Sequence, residues 1–118
     1  MAHEVVLNRK TYGEGASVFR EGDQGDVAYV VQTGRIEIFK IVDGVEKVLG
    51  DVGPGGIFGE MALIDDKPRM ASARVVDPST VIVVSRQMLE DKLKKSDPFV
   101  RGLLHILAST IRRMSQQK

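Results

Sequence analysis

The 118-residue sequence contains no cysteine, which excludes a disulfide scaffold and thiolate metal sites and fits a reducing compartment. Neither sign of charge dominates. Seventeen Lys and Arg stand against 16 Asp and Glu, a formal net charge of +1, so there is no broad field to gather a polyanion. The short basic group Arg112, Arg113 and Lys118 reads as the end of a helix complementing its dipole rather than as a nucleic-acid patch. No stretch approaches the roughly 20 apolar residues of a membrane span, and Met1 to Lys10 lacks the apolar core of a signal peptide. A cytoplasmic protein is expected, with no nucleic-acid partner and no membrane insertion. The two histidines, His3 and His105, lie far apart and in no metal-binding spacing, so neither a metal nor a cofactor is expected. Internal repeats and low-complexity segments are also lacking. What remains is a globular composition, 42% hydrophobic and 28% charged, of a length suited to one domain over residues 1–118.

From about residue 5 to 85, short β-prone runs are cut by glycine and aspartate, the pattern of a sandwich or barrel. Val27 to Gln32 is β-branched and aromatic, and Thr33-Gly34 after it predicts a hairpin into Arg35 to Ile38. Ile36 and Ile38 share an inward face, whereas Phe39-Lys40-Ile41 breaks the phase, as a bulge or a two-sided strand would. Asp43-Gly44 predicts a second hairpin through a type I′ turn. Gly53-Pro54-Gly55-Gly56 predicts a loop. Ala73 to Val76 and Thr80 to Val84 read as two strands separated by the turn-like Asp77-Pro78-Ser79. Ser85 can cap a helix through about Lys95, and Asp97 a second one with Pro98 at its first position. In the latter Val100, Leu103, Leu104, Leu107, Ile111 and Met114 recur at three and four residues, an apolar stripe expected to face the core.

The run Phe58-Gly59-Glu60-Met61-Ala62-Leu63, with Arg69 nine positions after the glutamate, carries the chemistry. Gly59 permits close backbone approach to a ligand, and a short helix after it would present free amides to an anion. Glu60 supplies an acceptor for a sugar hydroxyl, and Arg69 a planar fork of donors for two phosphate oxygens. Side by side they suit a nucleotide with one phosphate.

These residues closely resemble the cyclic nucleotide-binding domain family of cAMP-regulated kinases, bacterial cAMP-responsive transcription factors and nucleotide-gated channels. The likeness covers nearly the whole chain. Its most telling parts are Phe19-Arg20-Glu21-Gly22-Asp23-Gln24-Gly25-Asp26-Val27-Ala28-Tyr29-Val30-Val31, which looks like the family's first glycine-rich hairpin, Gly34 at its next turn, and the family's phosphate-binding cassette from Phe58 to Arg69. It implies a mainly β fold with flanking helices: an eight-stranded β-roll or jelly-roll barrel over about 5–85, with C-terminal helices over about 86–117. It also implies that Glu60 accepts the ribose 2′-hydroxyl and Arg69 pairs with the cyclic phosphate, while Gly59, Met61, Ala62 and Ala71 give mainly backbone contacts. Met70 departs from the family pattern of alanine, serine or threonine after the arginine. The hydroxyl route to cGMP is thereby missing, which favours cAMP over cGMP. The resemblance further implies a last helix closing over the base, with Ile111, Arg112 and Met114 as candidate lid residues.

The expected function is non-enzymatic: a cytoplasmic sensor binding cAMP, with cGMP less favoured, and signalling by movement of its C-terminal helix. Its effector would be another protein or a further region, since these residues hold no DNA-reading, kinase or channel part. A domain of the same fold that binds no nucleotide and acts as a protein-interaction module is the alternative. A metal-dependent β-barrel oxygenase ranks far below, for want of clustered histidines. Against its ligand role, Arg69 could simply pair with Asp65 or Asp66, which otherwise read as turn formers.

Overall fold

A computed structural model of the chain describes residues 8–63, 65–93 and 97–116. Six strands, β1 (Asn8–Tyr12), β2 (Ser17–Phe19), β3 (Val27–Val42), β4 (Val45–Val52), β5 (Ile57–Phe58) and β6 (Ser72–Ser85), are followed by helices α1 (Arg86–Leu93) and α2 (Pro98–Gln116). A 3₁₀ turn, Glu60–Leu63, lies between β5 and β6. The antiparallel order is β1-β6-β3-β4, with β2 also on β6 and β5 on β3. Residues two apart share a face, so Tyr29 and Val31 from β3 meet Val81 and Val83 from β6 in one core with Ile36, Phe58, Ala73 and Val75. Each such large side chain contributes about 1.5–3 kcal/mol on burial.

The hairpin expected at Thr33-Gly34 does not form. Val27 to Val42 is one strand paired along its length with β6, which likewise runs through Asp77-Pro78-Ser79 without reversing. Gly34 takes φ 95°, and the register shifts on both sides of it. Ser79 Oγ accepts from Arg35 N–H at 3.0 Å and donates to the Asp77 carbonyl at 2.6 Å. The two turn signals therefore face each other and bend both strands at one level. Counted on either side of that kink, β3 and β6 supply two segments each, which reconciles six continuous strands with an eight-stranded roll.

Asp43 at φ 53° and Gly44 at φ 79° close the β3–β4 hairpin as expected. The broken phase near Phe39 is a bulge, with Leu49 the extra residue on β4 between Gly50 opposite Ile38 and Val48 opposite Phe39. Both caps form. Met88 N–H donates to Ser85 Oγ at 3.1 Å, and Phe99 N–H to Asp97 Oδ1 at 2.8 Å. The helix read to about Lys95 is described to Leu93, and its last residues lie outside the described ones.

The apolar stripe of α2 does not face the core. Val100, Leu103, Leu107, Ile111 and Met114 are exposed, as are Phe99 and Ile106, and Leu104 is half-buried. The roll fills its interior with its own strand residues. The stripe's periodicity tells which face is apolar, not what covers it.

Candidate functional site

Arg69 lies just before β6, tied by its backbone to the loop after β2. Its N–H donates to the Asp23 carbonyl at 2.8 Å, and its carbonyl accepts from Gly22 N–H at 2.9 Å. The side chain is buried, 7% exposed. Nη1 donates to the Gly59 carbonyl at 3.1 Å and Nη2 to the Val27 carbonyl at 2.9 Å. The guanidinium carbon sits 4.1 Å from the ring centroid of Phe19. Among the described residues no carboxylate forms an ion pair with it, and its buried Nε has no partner. Burial pulls the guanidinium pKa below its ordinary range; Tyr29, Asp23 and Asp26 oppose the shift. A buried cation whose hydrogen bonds all go to neutral carbonyls is short of a directly bound anion.

Two glycines make the seat. A Cβ on Gly25 would stand 2.5 Å from Arg69 Nη2 and 2.7 Å from Cζ, and one on Gly59 2.8 Å from Nη1. Gly59 also has φ 74°, a conformation glycine adopts without penalty. Its carbonyl accepts from Ala62 N–H at 3.3 Å as the 3₁₀ turn begins.

A cavity of about 260 Å³ opens beside this seat. Gly59, Glu60, Met61, Ala62, Arg69, Met70 and Ala71 all border it, so the residues singled out in sequence are brought to one place. Ile38, Val52 and Ile57 add an apolar wall that the sequence pattern did not mark. Met70 is half-buried. Of the three lid candidates only Arg112 reaches the cavity, whereas Ile111 and Met114 are 51% and 64% exposed and do not border it.

The pairing of Arg69 with Asp65 or Asp66 does not occur, because both aspartates are taken by arginines of the C-terminal helices. Asp65 receives Nε and Nη2 of Arg112, each at 2.9 Å. Arg86, the first residue of α1, donates to the Asp66 carboxylate, to the Ala62 carbonyl and, at 3.0 Å, to the Asp65 carbonyl. Asp65 keeps a turn role as well, accepting from Lys67 N–H at 3.2 Å. Reading it as a turn former alone missed the larger part, and a partner 47 residues away leaves no spacing signal.

Comparison with known proteins finds matches over most of the chain. The family described as cyclic nucleotide-binding domain matches residues 9–96. The cyclic AMP receptor protein of Thermus thermophilus is 31% identical over 107 residues, 90% of this chain and 50% of that protein. Among solved structures, the cAMP-bound form of the EAL enzyme Bd1971 superposes with a TM-score of 0.85 at 34% identity, over 91% of this chain and 29% of that one. Its cGMP-bound form gives 0.83 at 35% identity, over 92% and 29%. The chain thus spans half or less of the length of these relatives.

Proposed function

The chain belongs to the cyclic nucleotide-binding domain family, and we propose that it is a non-enzymatic sensor that binds cAMP in preference to cGMP and reports occupancy through α2. The observation that carries this reading is the Arg69 guanidinium, buried and hydrogen-bonded to neutral carbonyls, with Nε unpartnered among the described residues, beside a cavity of about 260 Å³. A cyclic phosphate brings the missing single negative charge and two oxygens for the planar fork. Glu60, half-buried at the start of the 3₁₀ turn and bordering the same cavity, accepts a ribose hydroxyl. Gly59, Met61, Ala62 and Ala71 line the approach with backbone. Ile38, Val52 and Met70 offer the base an apolar bed without a hydroxyl to favour guanine. Relatives named for cAMP support the ligand class, and the effector is a partner protein or a further region of a longer chain.

Signalling requires that nucleotide bind one position of α2 more tightly than another, since equal affinity shifts nothing. Titration calorimetry with cAMP and cGMP tests the reading: heat with cAMP and less affinity for cGMP is expected, and binding of neither overturns it. The competing reading, an interaction module of the same fold without a ligand, draws on the exposed apolar face of α2 and predicts silence in that titration.

Gly25→Ala provides a sharper check. The new methyl collides with the far end of a flexible side chain, not with backbone, so the guanidinium swings out of its seat while the roll stays intact. Affinity for cAMP should fall about tenfold or more, roughly 1.4 kcal/mol, with the melting temperature nearly unchanged. Unaltered affinity would show that the seat of Arg69 does not matter to the ligand.

A further inference from the structure

Arg112 is the only buried side chain among the described ones of α2, at 4% exposure. Its Nε and Nη2 hold the two oxygens of Asp65, and Nη1 donates to the Pro68 carbonyl at 2.7 Å. The paired side chains are 5% and 14% exposed. Among the described residues, these are the only side-chain hydrogen bonds from α2 to the rest of the chain beyond its own cap. Of the apolar stripe that would ordinarily seat an amphipathic helix, Leu104 is half-buried and Val100, Leu103, Leu107, Ile111 and Met114 are exposed. Asp65 and Pro68 both belong to the segment joining the 3₁₀ turn to Arg69, and Arg112 and Pro68 border the cavity.

We propose that Asp65 is a positioning residue for nucleotide binding: it fixes Arg112 at the cavity rim, so that α2 closes on the site through this ion pair and not through Ile111 or Met114. The proposal rests on the nucleotide reading above. A two-oxygen carboxylate matched to a planar fork sets both the place and the plane of the guanidinium, which a lysine cannot reproduce. Three of its five N–H donors are then engaged, leaving the flat face and the aliphatic stem as its main surfaces for a purine, by stacking. Because the order of Arg112 is secured by Asp65, the ligand does not bear that ordering cost. The same contact makes the cassette segment sense the position of α2.

Asp65→Asn is the informative variant, since it keeps an oxygen for Lys67 N–H while losing the charge and the second acceptor. Arg112→Lys is its counterpart, keeping charge without the fork. Each should weaken cAMP about tenfold, mostly through faster dissociation. The double variant should be no weaker than the single ones, and amide exchange over residues 103–114 should quicken in both before nucleotide is added. A lowered melting temperature with additive effects on affinity, or unchanged affinity and exchange, overturns the proposal. Failure of the nucleotide reading looks different, as no heat with the unsubstituted protein. The nucleotide-free exchange measurement then still decides whether Asp65 anchors α2.

Discussion

Replacing Arg69 with alanine should weaken cAMP binding by roughly thirtyfold to a few thousandfold, a cost of about 2–5 kcal/mol, while folding stability changes by no more than about 1 kcal/mol. The asymmetry follows from where the charge sits. In the protein alone the guanidinium is desolvated, bonded to the carbonyls of Gly59 and Val27 and, among the described residues, without a carboxylate partner. Removing it forfeits two hydrogen bonds and the contact with Phe19, but also removes a buried cation without an anion, and the two effects offset. With a phosphate bound there is no such offset, because the alanine variant leaves an anion in the cavity without its partner. Arg69→Lys should fall between, retaining charge without the two-pronged geometry. Calorimetry reads the affinity and urea denaturation the stability. An alanine variant that binds as tightly as the parent would remove Arg69 from the phosphate site.

What the sequence displayed well is what chain neighbours decide. The Asp43-Gly44 turn and the caps at Ser85 and Asp97 each depend on residues within a few positions, and local chemistry fixes them. The same holds for Gly59, Glu60 and Arg69, which one short connection brings to a single cavity. What stayed hidden was set by distant partners. Thr33-Gly34 carries a sound turn signal, yet β6 pairs across it and turns a reversal into a bend. The stripe on α2 has a clear period, but nothing in that period says whether a surface waits to cover it. Arg112 stood among three lid candidates, and its burial, its place at the cavity and its long-range pairing with Asp65 separate it from Ile111 and Met114.

The kink between β3 and β6 predicts the largest effect on stability. Gly34→Ala should destabilise the fold by about 3–5 kcal/mol, from backbone strain of 1–3 kcal/mol together with broken hydrogen bonds and overpacking. A Cβ there would lie 2.1 Å from Ser79 Oγ and 2.6 Å from both the Pro78 carbonyl oxygen and Ser79 Cα. At Gly25 the obstruction is a movable side chain; at Gly34 it includes backbone paired into a sheet, so relief requires β3 and β6 to separate where both bend. Ser79 Oγ would also lose its place between Arg35 N–H and the Asp77 carbonyl. Gly44 supplies the control, since its φ is 79° and a Cβ on it meets nothing within 4 Å. Gly44→Ala therefore costs strain alone, about 1 kcal/mol. Against a typical domain stability of about 5–15 kcal/mol, the Gly34 variant should melt roughly 10–20 °C lower than the parent and unfold at distinctly lower urea than the Gly44 variant. Equal midpoints for the two would show that the close approach of Ser79 is not what requires glycine at this bend.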